Sequence, residues 1–264
     1  MEPDPRVTPP SADANFEEFT RGLPDFLPAV QDGFQCIVDL AAEVRDETLG
    51  PDAVIAMLTG SLAEDLHDVL VLCSNERRSG ALRLLRTPFE KFLYASHISR
   101  HPESAQDFLM YDAIQTKALL AGIEDHYDYK ISEAGRARLA EMFKTAQERF
   151  KRPKCNECGE SGPRMWTKVT PEQMARDAGL EDIHVLAYRY STLMIHPSLR
   201  GLSDQMRDTF KMPAILVAVH KLTFEAMKLQ WQYFKKTDRA TGKAANVMRR
   251  LCEGTKTGPV STAP

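Results

Sequence analysis

From Phe16 to Phe234 the apolar residues return every three or four positions, and no stretch keeps a period of two long enough to make a strand. A chain patterned this way buries one face of each of several helices against the others, so it folds as an all-α, bundle-like domain. With 43 % hydrophobic residues the 264-residue chain has the material for a substantial core. The expected limits are a disordered tail over 1–13, rich in Pro, Asp and Ala, an all-helical domain over 14–237, and a basic, largely disordered tail over 238–264 with at most a short helix near Val247.

Punctuation divides the helical part. Phe16 to Arg45 carries Phe26, Val30, Phe34, Ile37, Val38, Ala41 and Val44 at helical spacing, with Pro24 and Pro28 confining the regular turns to its later part. Gly50-Pro51 opens a second helix, Asp52 to Leu72, and Ala81 to Ser99 a third, which Pro88 kinks. Glu103 to Gly122 and the highly charged Ser132 to Arg152 follow, then a loop over Pro153 to Val169. Thr170-Pro171-Glu172-Gln173 starts a short helix, and Glu181 to Ile195 forms the next. A last long helix begins at Ser203 or Asp204 and ends near Lys236.

The net charge of −3 sets up no global field for nucleic acid, but basic residues gather at Lys144 to Lys154 and from Lys235 onward, where they would meet phosphate backbones or simply be solvated. The start M-E-P-D-P-R lacks an apolar signal region, and the longest apolar run, Met212 to Val219, is too short to span a membrane. An odd number of cysteines, 5, does not suit a disulfide framework, so a reducing cytoplasm is the expected compartment.

The chemically suggestive stretch is Tyr188 to Leu202, Y-R-Y-S-T-L-M-I-H-P-S-L-R-G-L. On an α-helix Arg189 and His196 would share a face, about 10 Å apart along the axis, and Pro197 sets His196 at the helix C-terminus, where the dipole favours imidazolium. Such a pair can flank one phosphodiester; equally, Arg189 can be an ion-paired surface residue and His196 a C-terminal cap. An arginine followed by a histidine at this spacing near a helix end is similar to the signature of the HEPN superfamily, with a departure at Tyr190, where active members usually carry a small polar residue. That resemblance implies a small helical domain, a homodimer, and a metal-independent endoribonuclease of toxin or antiviral systems, with Arg189 and His196 catalytic and RNA, or an antitoxin, as partner.

Two longer segments resemble a bacterial family of unknown function, DUF5677. One is R-L-L-R-T-P-F-E-K-F-L-Y-A-S-H, in which Arg86 and Glu90 match R-x-x-x-E; the other runs from M-A-R-D-A-G-L to the focal stretch, where Tyr188, Thr192 and His196-Pro197-Ser198 match the family's pattern. The resemblance spans about residues 30 to 235 and implies an all-helical fold and supporting roles for Arg86, Glu90, Tyr188 and Thr192, but no activity. Arg86 and Glu90 would lie side by side on one helical turn and, if buried, would need further partners to offset desolvation, with Glu90 also a candidate to orient Arg189 or His196. Cys155 and Cys158 have the spacing of half a zinc site, for which His126 or His184 could supply further ligands; an incidental surface pair without metal is the competing reading. Two functions remain open: a HEPN-like RNA-binding or RNA-cleaving protein without membrane association, or a non-catalytic helical adaptor.

Overall fold

The computed structural model describes residues 11, 13–44, 50–126, 131–150, 166–195, 211–235 and 242–254, and these are helical with no strand among them. The chain is all-α, and no helix of the described residues is long and apolar enough to cross a membrane. It gathers into two compact units, residues 1–99 with 171–264 and residues 100–170.

In the first unit, α1 (Phe16–Gly22) starts at a reciprocal cap, Asn15 accepting from the Glu18 amide at 2.8 Å while Glu18 accepts from the Asn15 amide at 3.1 Å. The region expected to be irregular before Pro28 is thus a helix of its own, and Pro28 falls in the first turn of α2 (Phe26–Val44), where a missing N–H is harmless. α3 (Pro51–Ser74) opens on Pro51, and α4 (Arg78–Arg100) continues through Pro88 as one helix. The apolar stripes meet as the spacing predicts: Val30, Ile37, Leu62, Leu66, Leu85, Phe89, Val219 and Leu222 are fully buried, whereas Val38, assigned to the same stripe, is 38 % exposed.

The long helix α10 (Met212–Lys235) packs on α2 and α3. Its approach to α2 depends on Gly33, where a Cβ would stand 2.6 Å from the Thr223 methyl. A buried polar thread joins the three helices: Gln230 donates to the Thr59 hydroxyl at 2.8 Å and to the Ile37 carbonyl at 3.4 Å, and Thr59 donates to the Ile55 carbonyl at 2.7 Å. Beyond the expected domain limit, Gly242–Gly254 forms a further helix, α11, seated on α2 and α10 with Val247 and Leu251 buried. The short helix expected near Val247 is therefore present in this part of the basic C-terminal segment, and spans 13 residues. The expected start of the last long helix at Ser203 or Asp204 lies outside the described residues.

The second unit is a helical hairpin of α5 (Ser104–His126) and α6 (Glu133–Arg149), closed at its base by the Asp107–Arg149 ion pair at 2.5 Å and by edge-on ring pairs, Phe108 with Trp166 and Tyr111 with Phe150. Away from that base, none of the described side chains between 114 and 145 is buried.

Candidate functional site

The focal region begins with α7 (Pro171–Asp177), which ends at Gly179. Its φ of +68° lets the Leu180 amide reach back to the Ala175 carbonyl at 2.8 Å, a reversal that glycine makes without strain. The chain then runs through α8 (Glu181–His184), a π-helical turn over Val185–Tyr190, and α9 (Ser191–Ile195). The uniform α-helix expected from Glu181 to Ile195 is thus interrupted by a wider turn. Such a turn displaces the usual i→i−4 donors, and adjacent hydroxyls compensate. Ser191 donates to the Ala187 carbonyl and Thr192 to the Tyr188 carbonyl, each at 2.6 Å.

α4 holds this turn from the side. Arg86 donates through Nε to Glu90 at 2.8 Å and through Nη1 to the Thr192 hydroxyl at 3.2 Å, while its guanidinium lies over the Tyr188 ring, 4.5 Å from the centroid. The other contacts of that ring include His184, stacked at 5.2 Å with 14° between planes, and Phe89 approaches His184 at 6.1 Å. Burial, the largest influence on Arg86, works against its charge, but the hydrogen bond and charge of Glu90, together with Tyr188 and Tyr94, outweigh it and hold the guanidinium protonated beyond its usual range. His184 is pushed the other way, first by burial and then by Arg189, with Glu172 offsetting part of the effect; its imidazole is held below the ordinary value.

Arg189 stands apart from this clamp. Its side chain is 59 % exposed and donates to Glu172 of α7 at 2.8 Å. The same Glu172 oxygen lies 3.9 Å from Arg176. Glu90 therefore orients neither Arg189 nor, among the described residues, anything beyond Arg86. The structure brings Arg86, Glu90, Tyr188 and Thr192 into one cluster, leaves Arg189 outside it, and does not describe His196, Cys155 or Cys158. His184, weighed as a zinc ligand, stacks on Tyr188, and no group of three or more His, Cys, Asp or Glu able to hold a metal occurs among the described residues.

Sequence reasoning passed over four participants: Phe89, Ser191, Glu172 and Arg176. Ser191 carried the clearest signal, since adjacent hydroxyls at 191 and 192 can each bond a carbonyl one turn back. Glu172 was read only as part of the helix start at Thr170, and its i,i+4 spacing to Arg176 is that of an ordinary helical ion pair.

No curated protein and no solved structure matches the chain. A family model, described as a family of unknown function, DUF5677, matches residues 52–211, more than half of the chain, and takes in both the helix that carries Arg86 and the turn it holds. On that match, the chain belongs to the DUF5677 family.

Proposed function

We propose that this chain is a HEPN-like RNA-binding protein of the metal-independent endoribonuclease type, working as a homodimer in a toxin or antiviral setting. The observation that carries the reading is the presentation of Arg189: an exposed guanidinium on a helical turn that Arg86 holds through Thr192 and the Tyr188 ring. A solvent-facing arginine suits recognition of a phosphate, because its planar fork matches two phosphate oxygens.

In this mechanism Arg189 holds the scissile phosphodiester and offsets the charge that gathers on its oxygens. The neighbouring ribose 2′-hydroxyl attacks phosphorus and loses its proton to water. The bond to the 5′-oxygen breaks, and His196 as imidazolium protonates that oxygen, leaving a 2′,3′-cyclic phosphate and a 5′-hydroxyl.

The test is purified wild type beside His196→Ala, each incubated with mixed RNA in EDTA. The proposal expects cleavage by the wild type alone, with both proteins showing the same helical circular dichroism. Cleavage by both would remove His196 from the chemistry. No cleavage by either, with no RNA retained, would favour the second reading, a non-catalytic helical adaptor. The specific observation on its side is that Val185 and Ile195, 52 % and 47 % exposed, lie on the same helical run as Arg189 and offer apolar surface to a protein partner.

A further inference from the structure

We infer that Arg176 and Arg189 together form a two-arginine phosphate site, and that the Glu172 carboxylate occupies it as a built-in competitor for the RNA backbone. The inference deepens the role proposed for Arg189 and rests on that reading. Its basis is a convergence of two helices. Arg176 reaches from α7 and Arg189 from the π turn, and both approach one atom, Oε1 of Glu172, at 3.9 and 2.8 Å. A carboxylate oxygen and a phosphate oxygen accept from guanidinium in the same way, so this atom marks where a phosphate oxygen would sit.

The site is open as well as paired. The side chains of Arg176, Arg189 and Glu172 are 57 %, 59 % and 53 % exposed. Ion pairs this exposed contribute little to stability and exchange readily. RNA, whose binding also releases condensed counterions, is suited to displace the single carboxylate. Arg176 has a further tie on its own helix: it donates through Nη1 to Gln173 at 3.1 Å, and Gln173 donates in turn to an oxygen of Asp177 at 2.7 Å. The Gly179 reversal directs the chain from α7 into the helical run that carries Arg189, so the pairing is a product of the fold and not of sequence proximity.

The proposal makes Glu172 inhibitory, which a merely structural ion pair would not be. Binding of a fluorescent single-stranded RNA of mixed sequence is measured against salt for wild type, Glu172→Gln, Arg176→Gln and Arg189→Gln. Glu172→Gln should bind about three- to tenfold more tightly. Arg176→Gln and Arg189→Gln should each bind more weakly, and each should reduce the slope of log affinity against log salt by about 0.7, the loss of one phosphate contact to a single strand. Unchanged affinity in Glu172→Gln, or wild-type binding by Arg176→Gln beside weakened binding by Arg189→Gln, overturns the shared site while leaving Arg189 as a phosphate ligand. A second arm separates the site from the RNA reading. Inorganic phosphate is titrated while the guanidinium Nε–H signals are followed by NMR. Selective shifts at Arg176 and Arg189, enlarged in Glu172→Gln, support the site even if RNA is not the ligand, and their absence overturns it.

Discussion

Arg86 and Arg189 each donate to a carboxylate at 2.8 Å, yet the two pairs do different work. Arg86 and Glu90 are 25 % and 27 % exposed, and the guanidinium is also engaged by a hydroxyl and an aromatic ring. Arg189 and Glu172 are 59 % and 53 % exposed, and among the described residues the carboxylate is shared with Arg176. A partly buried charge must keep its partners, because losing one leaves the other desolvated and unpaired. An exposed charge can exchange its partner for a ligand at little expense. The pair length says nothing about this difference; exposure and the number of other contacts decide it. Arg86 is a strut, and Arg189 is available.

The largest expected effect is on the strut. Arg86→Met keeps the aliphatic bulk but strands Glu90 and uncovers the Tyr188 ring, so thermal or urea unfolding should show a loss of about 2 kcal/mol, against about 0–1 kcal/mol for Arg189→Gln. Equal losses in the two variants would erase the distinction. Thr192→Val, nearly isosteric, removes both the hydroxyl that receives Arg86 and the bond to the Tyr188 carbonyl; it should cost about 1 kcal/mol and speed amide exchange across residues 185–192.

The smallest effect is a pH dependence. Burial and then Arg189 hold His184 below its ordinary value of about 6.5, and burial does the same to His220, with a partial offset from a hydrogen bond to the Leu251 backbone. Above that value neither the folded nor the unfolded chain protonates these imidazoles. Below it the unfolded chain binds protons that the folded chain resists, so stability should fall as the pH drops from about 6.5 until the folded imidazoles also titrate. In Arg189→Gln the second cause is gone, and an NMR titration should place His184 closer to its ordinary value. A titration of His184 that ignores Arg189 would mean that the two do not sense each other.

Much of the frame was legible because helices announce themselves locally. Pro51 and Pro171 mark starts, and α2, α3 and α4 supply about half of the buried apolar residues among those described. One half of the clamp, Arg86 with Glu90, was also visible as an i,i+4 pair, and the other, Tyr188 and Thr192, through the resemblance to the DUF5677 pattern. Their meeting was not, because it depends on where α4 packs. The π turn left only an ambiguous trace, since serine and threonine hydroxyls bond to carbonyls in ordinary α-helices as well. α11 was obscured by its polar, basic composition, in which Val247 and Leu251 supply its buried apolar contacts. The Glu172–Arg189 pair spans 17 residues across the Gly179 reversal, a distance over which spacing carries no information.

The role proposed for Arg189 is that of a ligand for phosphate and not of a structural residue. The most direct measurement pairs RNA affinity with melting temperature on the same samples of wild type and Arg189→Gln. The expected result is an affinity loss of about tenfold with the melting temperature nearly unchanged. Unchanged affinity, or a loss that merely follows a lower melting temperature, would contradict it.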